Sequence, residues 1–156
     1  MLTKHSVMLN RMDEQTAAAT YAAFRSRTLP KPQWTHEAHL AVCWTVLQTE
    51  SPAEALEDLR VAISSYNEST NTPNTDSSGY HETLTRYFIA AVAQHRGRPL
   101  SDVLGSAECS RQAPAAHWSG DVLYRAEVRL GWMPPHLAPL PWSLPEVTPT
   151  EGGAVV

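Results

Sequence analysis

Proline placement sets the strongest limit on what this chain can fold into. Of its twelve prolines, five lie within the first 113 residues, and seven (Pro114, Pro134, Pro135, Pro139, Pro141, Pro145 and Pro149) crowd the last 43. Proline removes a backbone donor and clashes inside a helix, so long packed helices belong to the first part of the chain. That part is rich in Ala, Leu, Glu and Arg and lacks the period-two alternation of half-buried strands, which predicts helix throughout.

Punctuation then divides it. A first helix is expected from about Asp13, a capping residue, through the stripe Ala17, Tyr21 and Phe24, stopping before Leu29-Pro30-Lys31-Pro32. A second starts at Thr35, carries Leu40, Cys43, Trp44 and Leu47 at helical spacing, and stops near Glu50. Ser51-Pro52-Ala53-Glu54 is a capping box with proline at the first helical position, and it opens a third helix with Ala55, Leu59, Ala62, Ile63 and Tyr66 on one face. After the polar loop 69–78, a fourth helix should begin around Gly79 or Tyr80, turn Leu84, Phe88, Ile89 and Val92 inward, and close at Gly97. Shorter helical pieces are expected over 101–109 and 119–130, with Gly131 as a stop. The fold class is therefore all-α: a four-helix up-and-down bundle over about 13–97 and an irregular helical wrap over 100–137. Together these make one domain, 1–137, followed by a Pro-rich tail, 138–156, expected to be partly disordered.

Alternating helix directions carry a consequence for function. The end of the first helix, the start of the second, the end of the third and the start of the fourth share one pole. That pole collects Arg25, the segment 34–39, Tyr66, Asn67, the polar loop and Tyr80 to Glu82.

Three histidines converge there. At about 100° per residue, His36 falls on the same stripe as Leu40, Cys43 and Leu47, with His39 on its flank, and His81 falls on the stripe of Leu84, Phe88 and Val92. Neutral imidazoles from two neighbouring helices can supply three ligands to a divalent transition metal (Zn, Ni, Cu or Fe) and leave a position open for water or substrate. The leading expectation is a small enzyme with metal ligands His36, His39 and His81. Glu37, Glu82 and Tyr80 would be its acid/base groups, and Tyr66, Asn67, Asp76 and Arg86 would contact a small polar metabolite in hydrolysis, lyase or isomerase-type chemistry. Two alternatives stand beside it: metal-free His/Glu acid-base catalysis, and a non-catalytic helical domain that binds a ligand or partner while its histidines are structural. His95 lies roughly 21 Å along the fourth helix from His81 and belongs to the other pole. His117 could fold back over the site, while His5 and His136 read as surface residues.

Composition narrows the partners. Twelve Lys+Arg against sixteen Asp+Glu give a net charge of −4, with no basic excess to neutralise a phosphate backbone, so nucleic acid is not an expected partner. Cys43 and Cys109 form no CxxC pair and read as reduced thiols of a cytoplasmic protein. The opening MLTKHSVMLNRMDEQ lacks the apolar run of a signal peptide, and no apolar stretch is long enough to span a membrane. A small-molecule substrate is expected, and the chain is compatible with a homodimer.

The words WTHEAHL (34–40), YNE (66–68), NTDSSGYHETLT (74–85) and HWSGDVLYRAEVRLGW (117–132) resemble those of a group of small bacterial helical proteins, over about 100 residues. The resemblance implies a common helical fold and no particular chemistry. A weaker likeness is architectural: DinB-like four-helix proteins hold a metal with three histidines from two helices. This chain differs in drawing two candidates from its second helix and one from its fourth.

Overall fold

The computed structural model describes residues 12–144, and among them it contains helices and turns but no strand. Helix α1, Glu14–Arg25, starts where the Asp13 carboxylate accepts from the Thr16 N–H at 2.7 Å, and it buries Ala17, Thr20 and Phe24. Arg27 then takes a left-handed φ of 60°, and the chain turns away through a short 3₁₀ segment, Lys31–Gln33.

Helix α2, His36–Val46, is capped by the Thr35 hydroxyl on the Ala38 N–H. Its sequence shows more than the single stripe expected, because Ala38, Ala41 and Val42 are buried together with Leu40, Cys43 and Val46. A helix apolar on most of its circumference belongs at the centre. Accordingly α2 packs against α1, against α3 (Pro52–Ser69), against α4 (Glu82–Ala93) and against the short α5 (Leu100–Leu104). The capping box of α3 is fully formed: the Glu54 N–H donates to Ser51 Oγ at 3.1 Å, and the Ser51 N–H donates to Glu54 Oε1 at 2.9 Å. Its far end is held by Tyr66, a fully buried ring whose hydroxyl donates to the Leu29 carbonyl at 2.8 Å.

The loop between α3 and α4 is fastened by one side chain. Asn74 donates to the Ser64 carbonyl at 2.9 Å, while its Oδ1 accepts from the Tyr80 N–H at 2.9 Å and from Asn67 Nδ2 at 3.0 Å. Gly79 at φ 80° permits this close approach, since a Cβ there would stand 2.5 Å from Asn74 Oδ1. The extended backbone of His81 delays the helix. Its first residue is Glu82, so His81 is the N-cap rather than a first-turn residue, which corrects the expected start at Gly79 or Tyr80.

Beyond α4 the chain wraps the core with α5, two 3₁₀ turns (Ala107–Cys109 and Ala113–Ala116), α6 (Gly120–Leu123) and α7 (Ala126–Leu130), and then Gly131 ends the helical run. Trp118 anchors the wrap: it is fully buried, and its Nε1 donates to the Met133 carbonyl at 3.0 Å. Thr83 on α4 both donates to the Gly131 carbonyl at 2.9 Å and accepts from the Met133 N–H at 3.1 Å. Leu140 and Trp142, in the segment expected to be a loose tail, pack on the core, and Trp142 lies 5.6 Å from Tyr87. The rest of that expectation, residues 145–156, lies outside the described residues.

Candidate functional site

Residues from 31–43, 59–72, 79–89 and 111–129 line a cavity of about 780 Å³. Its apolar wall includes Trp34, Leu40, Leu59, Ile63, Leu84, Phe88, Ile89, Trp118 and Leu123, and its polar wall includes His36, His39, His81, Tyr80, Asn67, Thr70, Thr72 and Thr85. The histidines expected to converge therefore do face one space. Their ring nitrogens have different employments.

His81 has both in use. The Leu84 N–H donates to Nδ1 at 3.1 Å, which caps α4, so the proton sits on Nε2, which donates to the Leu123 carbonyl at 2.7 Å. Burial lowers the tendency of this ring to charge, against the opposing pull of the Leu123 carbonyl. In this geometry neither nitrogen offers a lone pair to a ligand.

His36 donates Nε2–H to the Cys109 carbonyl at 2.8 Å and meets Phe88 edge-on at 5.0 Å. His39 donates Nδ1–H back to the Thr35 carbonyl at 2.7 Å and lies on the Trp34 ring, with centroids 3.7 Å apart. Trp34 is itself stacked on Phe24 at 4.7 Å, so the imidazole rests on a two-ring pile. His39 Nε2 and His36 Nδ1 have no protein partner among the described residues. Burial, with Thr35 opposing and with His36 and Arg111 adding repulsion, pushes His39 down to about 4. Its free nitrogen is thus an unprotonated lone pair at neutral pH.

The other expected site residues divide sharply. Tyr80 lines the cavity, but its hydroxyl donates to Glu82 Oε1 at 2.8 Å, and burial raises its pKa. Asn67 also lines the cavity while holding Asn74. Glu82 is buried and saturated: Arg60 donates at 3.0 and 2.7 Å and Arg86 at 2.8 Å, and together with Tyr80 they outweigh burial and hold the carboxyl below its usual range. Arg86 is spent on that pair and on the Trp132 ring, 5.9 Å away. Glu37, Asp76 and Tyr66 do not form part of the cavity wall, and Asp76 is exposed. His117 donates Nδ1–H to the Ala138 carbonyl at 2.8 Å and His95 pairs with Glu108 at 3.0 Å, both away from the cavity. Cys43 reaches the wall, yet burial raises its pKa and keeps the thiol protonated. Among the described residues no group of three His, Cys, Asp or Glu side chains is arranged to hold a metal ion.

Sequence reasoning missed the cations of this site. Lys31, Arg111 and Arg129 line the cavity, and none of them pairs with a carboxylate among the described residues. For Arg129 a signal existed in the sequence: its neighbours one helical turn away, Arg125, Ala126, Trp132 and Met133, offer no carboxylate. No protein-family model, curated protein or solved structure matches this chain.

Proposed function

We propose that this is a small cytoplasmic helical enzyme that acts on a small molecule held in the cavity, with His39 as the metal-free general base. The observation that carries the reading is the division of labour within the His39 ring. Nδ1–H is anchored on the Thr35 carbonyl, which fixes tautomer and orientation, and Nε2 keeps an unprotonated lone pair beside the cavity. A proton abstracted from substrate, or from a water positioned by it, would go to Nε2. The burial that disfavours a charge on His39 then favours passing that proton back to product. Glu82 and Tyr80 hold the site's shape. In this reading the four long helices form the antiparallel bundle expected from the sequence, which supports the common pole.

The test is turnover in a bacterial metabolite extract followed by mass spectrometry. A metabolite consumed by the protein should survive untouched with His39→Gln, and its consumption should persist in chelator. Consumption unchanged by His39→Gln would sink the reading.

A second reading keeps the divalent metal, on His36 and His39 with substrate completing the sphere. It is favoured by the same Nδ1–H contact to Thr35, since ligating imidazoles commonly donate their other N–H to a carbonyl. It predicts that chelator abolishes the turnover and that one of Zn, Ni, Cu or Fe restores it.

A further inference from the structure

We propose that the ligand of this cavity is a carboxylic acid with an apolar, preferably aromatic body, and that Arg129 holds its carboxylate. The proposal deepens the reading above by naming the class of substrate, and it rests on that reading only for the word substrate.

Three observations carry it. First, the charge of the cavity opposes that of the chain. The sequence has a net charge of −4, yet the described residues of the wall contribute Lys31, Arg111 and Arg129 and no Asp or Glu. Three cations and no counter-charge around one space favour an anion there.

Second, Arg129 is half employed. Its Nη1 donates to the Gly79 carbonyl at 2.7 Å, which ties α7 to the loop before α4. Its Nε is buried with no hydrogen-bond partner, and Nη2 has none among the described residues. Thr72 Oγ1, also on the cavity wall, is buried and without a partner too. Buried donors left without acceptors are rare in folded proteins and costly. The free edge of the guanidinium, Nε–H with Nη2–H, is the planar fork that matches the two oxygens of a carboxylate.

Third, the rest of the space is apolar and large. Trp34, Phe88, Trp118 and Leu84 offer ring and aliphatic surface, and about 780 Å³ lies within the range of cavities that enclose small organic ligands. A bare inorganic anion would leave that surface wet.

Calorimetric titration of the full chain with three matched probes, 2-naphthoate, 2-naphthamide and 2-naphthyl phosphate, tests this. Naphthoate should bind with Kd below about 1 mM, and the neutral amide at least about tenfold more weakly. Arg129→Gln should remove that preference, lowering naphthoate affinity about tenfold and leaving the amide unchanged. Because Arg129 also holds Gly79, Arg111→Gln and Thr72→Val are measured beside it, and each should weaken naphthoate severalfold while the circular dichroism and melting curve of the chain stay as they were. Equal binding of acid and amide, or no binding of either, overturns the proposal. Naphthyl phosphate bound more tightly than naphthoate overturns the assignment to a carboxylate. None of these readouts involves turnover, so a naphthoate site that survives in a chain whose His39→Gln variant is fully active would keep this inference and remove the catalytic one.

Discussion

His39 owes its properties to three neighbours, and each was visible in the sequence to a different degree. Thr35, four residues earlier, was legible as a cap, and the same residue's carbonyl takes the Nδ1 proton. Trp34 was legible as part of the segment 34–39, but not as the platform under the ring that it forms. Arg111, which helps to keep the ring neutral, comes from a distant irregular segment where no periodicity points anywhere. The expectation is concrete: in a histidine NMR titration the His39 resonance should stay in its neutral position down to about pH 5 and move only towards its value of about 4. A midpoint near 6.5 would show that burial does not govern the ring. Glu82 illustrates the reverse lesson. Its place beside His81 made it an acid/base candidate, but the partners that saturate it, Arg60 above all, sit on another helix and could not be matched by spacing. Glu82→Gln should therefore cost stability, about 2–3 kcal/mol by urea denaturation, because it leaves two half-buried guanidinium groups around a buried neutral side chain. Its primary effect should be on folding and not on binding of small carboxylic acids.

At the level of elements, the helices with conventional caps were read almost to the residue: Asp13, Thr35 and Ser51 stand where capping chemistry puts them. The start of α4 was read too early, because a histidine performs a role usually given to Ser, Thr, Asp or Asn. That difference changes the function of His81. A first-turn histidine would present a free nitrogen, whereas an N-cap histidine spends one on Leu84 and, here, the other on Leu123. Two substitutions separate those contacts. His81→Ala loses both and should lower stability by about 2–3 kcal/mol, the sum of a lost cap and a lost buried hydrogen bond. His81→Asn can restore the cap but cannot reach Leu123, so urea midpoints should order wild type above Asn above Ala. An Asn variant no more stable than the Ala one would mean that the cap contributes nothing.

Across the whole molecule, ionisable groups on the cavity and beyond the far end of α2 respond to pH in opposite senses. His39 and His81 have folded values below the ordinary imidazole value of 6.5, with His39 pushed to about 4. Between those limits the unfolded chain binds protons that the folded chain refuses, so their contribution to stability is present above about pH 6.5 and fades as pH falls towards 4. Glu50 stands at the other end of α2, beside Asp58 and facing Arg25 and Glu54. Its Oε1 is buried without a partner, and burial, reinforced by Asp58, lifts it to about 7. Asp58 itself is held low, chiefly by hydrogen bonds from Arg25 at 2.8 and 2.5 Å. For Glu50 the folded chain binds the proton more tightly. Its contribution is complete below the ordinary value of 4.5 and is lost as pH rises through about 7. Glu50→Gln keeps the neutral shape at every pH and isolates this group from the histidines. Melting temperatures of variant and wild type should coincide near pH 5. At pH 8 the variant should melt higher by about 2–4 °C, the shift that roughly 1 kcal/mol gives a chain of this size. A gap that is constant from pH 5 to 8 would mean that Glu50 is not protonated in the folded protein near neutrality.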